Sequence, residues 1–368
     1  MDEIQKKRSR SIAFRLGNSY LSRKTAGIRR EDMHGYTLSE QQKKQLKQLE
    51  LQVYLIAGTI GACAVMIVIF PFHFTTLLDA EHFNVFGYEF DVEMSYMLYA
   101  VLMIFPEIWL LNMLNLYAVR RICEIYRFPS SSNKDYSEQV ALLTEAGLEM
   151  PAKHMQLLNI NPYVGLTKFS YYSLLIGMKL RATLSNVLMK FLVRRFLGRY
   201  ALRIVTDLVG VPIFAFWNAW ASRGVMKETR MRIVSNAATE DFLRDFSTEE
   251  LESVQDKLTL LVHFVAQQKR QYNFALYSFV KGLLEKVPGL NLKHPFEVNI
   301  EELFGANPDE NRLVARLLIF GLLVDGTLSV KERLTIRKVV KEEWFPMSME
   351  EMEVVLKAYV DGEGLKKF

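Results

Sequence analysis

The chain of 368 residues has only two cysteines, Cys63 and Cys123. That excludes a disulfide-stapled scaffold and a four-cysteine zinc site. Its six histidines stand at 34, 73, 82, 154, 263 and 294, with no two four residues apart. A helical pair of imidazole ligands is therefore missing. No G-x-x-x-x-G-K-[ST], G-x-S-x-G, H-E-x-x-H or C-x-x-C occurs, so the phosphate, acyl-transfer, zinc-protease and dithiol chemistries lose their usual carriers. Neither cysteine has a histidine beside it to make a nucleophile. The reading is that the chain is not an enzyme. Half of its residues are apolar, which excludes a wholly disordered chain.

Charge is missing from two stretches. Leu51 to Leu78 contains no Asp, Glu, Lys or Arg, and Met94 to Val119 contains one, Glu107. A bilayer core takes about 20 apolar residues as a helix. Both stretches reach that length, so spans are expected at about 51–74 and 94–119. The flanks orient them. Residues 1–50 carry 12 Lys/Arg against 6 Asp/Glu. The connector 75–93 carries Asp79, Glu81, Glu89, Asp91 and Glu93 and no basic residue. Arg120, Arg121 and Arg127 follow the second stretch. Basic flanks stay in the cytosol, so both termini are expected there, with the acidic loop 75–93 outside. The first stretch begins too deep for an ordinary signal peptide, and Asp2 and Glu3 argue against a transit peptide. Residues 1–50 read as a basic cytosolic tail.

Glu107 directly follows Pro106, near the middle of the second span. A carboxylate there costs several kcal/mol unless protonated, paired or wetted. If the two spans pair antiparallel, Glu107 faces the small-residue stretch Ala57, Gly58, Gly61 and Ala62. Small residues four apart let helices approach closely in lipid, and Thr59 offers a hydroxyl. Pro106 removes one backbone donor from its helix. The reading is a mid-depth polar site at Glu107 and Thr59. Proton or ion relay and a purely structural contact both stay open, and conduction would require a homo-oligomer.

Residues 120–237 are basic, with 17 Lys/Arg against 7 Asp/Glu. Lys190, Arg194, Arg195, Arg199 and Arg203 recur about every fourth residue. Apolar residues fill the rest of that helix, so the stripe reads as a surface for anionic lipid rather than nucleic acid. Leu208 to Ser222 is uncharged but short for a span. It reads as a buried or interfacial helix, with Trp217 and Trp220 suited to the headgroup zone, and Phe169 to Met178 reads the same way. Whether either enters the bilayer stays open. The pattern of a proline-containing apolar helix, an Asn and then a basic helix loosely resembles the bacterial EcsC-like membrane-associated proteins.

Residues 238–368 reverse the balance, with 17 Lys/Arg against 22 Asp/Glu. Helix-start signals recur: Ser247 ahead of Glu249 and Glu250, Asn307-Pro308, Ser329 with Glu332, and Ser348 with Glu351. An all-α domain is expected. In LLIFGLLVDGTLSVKERLTIRKVV, residues 317–340, an apolar helix ends at Asp325-Gly326 and a capped helix starts at Ser329. An EF-hand is excluded, because Leu322, Leu323 and Val324 stand where alternating acids are needed. The unit resembles the helix–turn–helix repeat of the TerB-like (tellurite-resistance-associated) domains. The resemblance implies a divalent-metal site at Asp325 and Glu332. Local physics explains the same residues as a left-handed turn and a capping box.

The expected architecture is mainly α: a two-helix transmembrane hairpin with a cytosolic all-α body. Its regions are a basic tail (1–50), the hairpin (51–119), a basic membrane-proximal region (120–237) and an acidic TerB-like domain (238–368). The expected protein is a multi-pass membrane-anchored scaffold or sensor, with bacterial cytoplasmic membrane as its place, anionic lipid as one partner and its protein partners unspecified. An oligomeric conductor using Glu107 and a lipid-binding protein using the basic stripe are the alternatives.

Overall fold

A computed structural model describes residues 11–28, 37–74, 81–85, 88–92, 94–131, 135–150, 158–173, 208–292 and 297–365. These form two compact units. One comprises the described residues of 1–46, 120–167 and 227–368, and the other those of 47–119 and 168–226. Neither is continuous in sequence. The expected boundary at 237/238 falls inside a single helix, Gly210–Arg244.

Two long helices, α2 (Glu40–Phe74) and α3 (Met94–Tyr126), give the second unit their residues 47–74 and 94–119. Both are long and apolar enough to cross a membrane. Each is longer than its expected span: α2 starts in the polar stretch before Leu51, and α3 continues through the arginines after Val119. Pro71 and Pro106 lie inside the helices rather than ending them. Protein covers little of either apolar stretch: only 22% of the most apolar window of α2 and 6% of that of α3 is buried. Leu55, Ile67 and Phe70 on α2, and Leu102, Phe105 and Trp109 on α3, stand open. A core helix of a water-soluble fold would bury such residues. One face of α2 is covered, namely Val53, Ala57, Gly61 and Ile69.

The connector is not only a loop. Strands β1 (Glu81–Val85) and β2 (Tyr88–Val92) pair antiparallel, from Glu81 opposite Val92 to Val85 opposite Tyr88. The sequences HFNV and YEFDV alternate apolar and polar with the strand period of two.

The first unit begins with α1 (Ile12–Thr25), a packed helix within the expected basic tail. It packs on α4 (Tyr136–Gly147): Leu21 is buried, and the Tyr136 hydroxyl donates to the Ser22 carbonyl at 3.0 Å. The lower part of α5 (Gly210–Arg244) follows, then α6 (Thr248–Ser253), α7 (Gln255–Lys269) and α8 (Phe274–Lys286). A 3-10 turn at Ile300–Leu303 leads to α9 (Pro308–Leu323), α10 (Val330–Ile336) and α11 (Met349–Val360). The expected starts are built as anticipated. Ser247, Ser329 and Ser348 each form a full capping box, and Asn307 caps α9 ahead of Pro308.

Apolar faces of α5 to α9 meet in one core. Phe320 of α9 stacks on Phe242 of α5 with centroids 4.1 Å apart, and tilts against Phe279 of α8 at 5.1 Å. Gly321 lets α9 close on α7 and α8, since a Cβ there would lie 3.3 Å from Val265 and 3.4 Å from Phe279.

Candidate functional site

Each unit holds a polar contact between side chains far apart in sequence. In the second unit the centre is Glu107. The Asn218 side-chain amide, on the upper part of α5, donates to its Oε1 at 2.8 Å. The Thr59 hydroxyl is turned away, donating at 2.8 Å to the Leu55 carbonyl one turn earlier in its own helix. So the expected partner is replaced. A Thr in a helix satisfies itself on its own backbone, whereas an Asn in an apolar helix has to find a partner elsewhere.

The small residues of α2 do make a close helix approach, but they receive α5. A Cβ on Gly61 would lie 2.7 Å from the Phe214 carbonyl oxygen and 2.7 Å from Asn218 Nδ2. A Cβ on Gly58 would lie 3.5 Å from the Ala215 oxygen. Ala57 is buried and Ala62 half-buried. Glu107, Asn218 and Gly61 thus bring three helices to one point. Contact between the two long helices includes the Tyr99 hydroxyl donating to the Ile67 carbonyl at 3.1 Å. The expected lipid-facing stripe of Lys190, Arg194, Arg195, Arg199 and Arg203 lies outside the described residues, as does the second half of Phe169 to Met178.

In the first unit the centre is built around Asp325 and Glu332. Gly326 has a φ of +69°, and a Cβ there would lie 2.9 Å from the Met231 sulfur. That turn ends the α9 segment and brings Asp325 toward the start of α10. Asp325 Oδ1 accepts from the Thr327 amide and hydroxyl, each at 2.9 Å, and Oδ2 accepts from the Asn273 amide at 2.7 Å. The two carboxylates are brought together, and the ammonium of Lys269, the last residue of α7, sits between them. Its Nζ donates to the Leu322 carbonyl at 2.7 Å, to Asp325 Oδ1 at 2.7 Å and to the Thr327 carbonyl at 2.9 Å. Glu332 Oε1 is 2.9 Å from the same nitrogen. An ammonium has three protons, and all three are spent on the other oxygens. Glu332 Oε1 therefore holds the charge without a hydrogen bond, and it is buried without another donor among the described residues. Its Oε2 accepts from the Ser329 amide in the capping box.

Lys269, Asp325 and Glu332 are 2%, 5% and 1% exposed. Burial raises the Asp325 carboxyl from its ordinary value, and the Lys269 ammonium and the Thr327 hydroxyl pull it back. Four oxygens round one cation is the donor chemistry of a hard metal site. The residues do not fit a metal here, because the protein's own ammonium fills the position. Among the described residues no group of three or more His, Cys, Asp or Glu could hold a metal ion. The metal expected at Asp325 and Glu332 gives way to an internal ion triad.

The same unit has a cleft of about 430 Å³ between α4, α5 and α8. Its cations are engaged. Lys281 lies 3.3 Å from Glu138 and 3.8 Å from Asp135, and Arg232 pairs with Glu228 at 2.8 Å. Sequence reasoning missed Asn218, Lys269 and this cleft. The one available signal was a lone Asn inside the uncharged run 208–222. No known protein family, curated protein or solved structure matches the chain.

Proposed function

We propose that the chain is a membrane-anchored scaffold or sensor whose helical unit binds a protein partner. The observation that carries this is the combination of two long apolar helices, little of whose most apolar windows is buried, with a buried helical core in the same chain. Hydrophobic bands of that size need a bilayer or a partner to cover them. The charge asymmetry of the flanks puts the helical unit in the cytosol. The helix–turn–helix at Asp325-Gly326 supports likening the unit to TerB-like domains. Its buried charges are closed on themselves by Lys269, which suits a module that acts through its surface rather than through bound metal. The anionic-lipid role of the basic stripe belongs to the same reading.

The test is cross-linking in intact membranes followed by purification, comparing the full chain with one lacking residues 238–368. The account expects a specific partner set lost on truncation. Recovery of the same set from both chains would sink the scaffold reading. The conductor alternative is tested by flux through vesicles containing the purified chain. Glu107 bonded to Asn218 against Gly61 is a closed packing contact, so no flux is expected from the wild type or from Glu107→Gln.

A further inference from the structure

We infer that residues 208–226 form a third membrane-embedded element, a helix that runs beside the first span from just beyond the bilayer midplane to the cytosolic face. The inference rests on the membrane reading above. Three contacts set its direction. Gly210 approaches Val65, Phe214 approaches Gly61 and Ala215 approaches Gly58. The contacts step down α2 as they step up α5, so the two helices run antiparallel in this unit.

Depth follows from the same pairs. The expected first span, 51–74, has its centre close to Gly61. Phe214 and Asn218 therefore lie near mid-depth, where Asn218 meets Glu107. From Phe214 to Arg223 is nine residues, or about 13 Å of helix at about 1.5 Å per residue. Half of a hydrocarbon core of about 30 Å is about 15 Å. Arg223, the first charge after the uncharged run, thus reaches the headgroup level on the side where α2 carries Lys47 and Glu50. The run of 15 residues from Leu208 to Ser222 spans only about 22 Å as helix, too short to cross and long enough to enter.

The outer face of the segment matches that placement. Pro212, Phe216 and Trp220 are four apart and all exposed, Phe216 at 55% and Trp220 at 49%. They lie in the same unit as the exposed apolar residues of α2 and α3, so the occupant that fits is acyl chain. Trp220 packs on Phe216 with centroids 5.9 Å apart, and the Arg223 guanidinium lies 5.9 Å from the Trp220 ring. An aromatic ring with a basic residue just beyond it marks the edge of a bilayer. The uncharged run, read alone, suggested a buried or interfacial helix. Its packing on Gly61 places it deeper.

The experiment is tryptophan quenching by dibrominated phosphatidylcholine in vesicles holding full-length chain. Three variants each keep one tryptophan, Trp109, Trp220 or Trp344, with Phe at the other three positions. Trp109, on α3, reports the span itself. The inference expects Trp109 and Trp220 both to lose at least half their emission, and Trp344 to lose little. Trp109 quenched with Trp220 as bright as Trp344 would overturn the inference and leave the spans standing. That result also covers the case in which a second copy, not lipid, shields the face. Trp109 unquenched would overturn the membrane reading and this inference together. If a single-tryptophan chain does not fold, Phe216→Cys in a Cys63→Ala chain decides instead. It should resist a membrane-impermeant maleimide until detergent is added, whereas Arg223→Cys should react at once. Labelling of both in intact vesicles would overturn the inference.

Discussion

Replacing Lys269 by Met keeps the aliphatic stem and deletes the charge. Both carboxylates of the triad are then left in the core without a cation, each at most 5% exposed. Removing one partner of a buried ion pair costs about 3–5 kcal/mol. The three donated hydrogen bonds go too, stranding the Leu322 and Thr327 carbonyls. About 4 kcal/mol is a large part of the total for a domain whose stability is about 5–15 kcal/mol. With a urea slope of about 2 kcal/mol per molar, the unfolding midpoint should fall by about 2 M. The assay is urea unfolding of the full chain in detergent, followed by Trp344 emission with Phe at the other tryptophans. The loss should depend on pH in a definite direction. Uncompensated buried carboxyls titrate higher in the folded chain than in the unfolded one. The folded variant then binds the extra proton, and its stability rises as pH falls. The deficit against wild type should therefore shrink from pH 8 to pH 5. The triple variant Lys269→Met, Asp325→Asn, Glu332→Gln should recover most of the loss, because it removes all three charges together. A midpoint drop below about 0.5 M with no pH dependence would refute the closed triad.

Other expectations follow from the same contacts. Adding a divalent cation or a chelator should leave the wild-type midpoint unchanged, since the ammonium fills the oxygen cage; a cation-dependent rise would contradict that. Gly61→Ala should weaken the α2–α5 contact by about 1–3 kcal/mol, because the new Cβ meets a backbone oxygen at 2.7 Å that cannot swing aside; an unchanged melting temperature in detergent would count against the packing. Asn218→Leu should cost about 1–3 kcal/mol by stranding the Glu107 carboxyl, while Glu107→Gln should stay close to wild type; the reverse ranking would point to a different partner for Glu107. Burial lowers the His263 imidazole from its ordinary value. The unfolded chain then takes up the proton first as pH falls through about 6.5, so stability is lost from there downward, and His263→Phe should flatten that slope in a pH series of urea midpoints.

What was legible in the sequence was mainly local. The capping boxes at Ser329 and Ser348, the helix start at Ser247 and Asn307-Pro308 are legible from spacing alone and are formed as expected. Each cap needs only residues within three or four positions. The two long apolar helices were equally plain, because absence of charge over twenty residues is a strong signal. Partners across the chain were not legible. Lys269 lies 56 residues from Asp325, and nothing near it in sequence marks it apart from other helix-ending lysines. Asn218 lies 111 residues from Glu107. Thr59 was the nearer candidate by mirror symmetry, but its own helix offered it a carbonyl first. The β-hairpin was overlooked because the connector was read by its charge, although its period-two alternation was present. The α1 helix lies inside the stretch whose charge reads as a tail, and its seat on α4 depends on Tyr136, more than a hundred residues away.

The central claim is that α2 and α3 sit in a bilayer. Alkaline carbonate extraction of membranes from cells making the full chain tests it most directly. The account predicts that the chain stays in the membrane pellet and is released only by detergent. Recovery of the chain in the carbonate supernatant would contradict it.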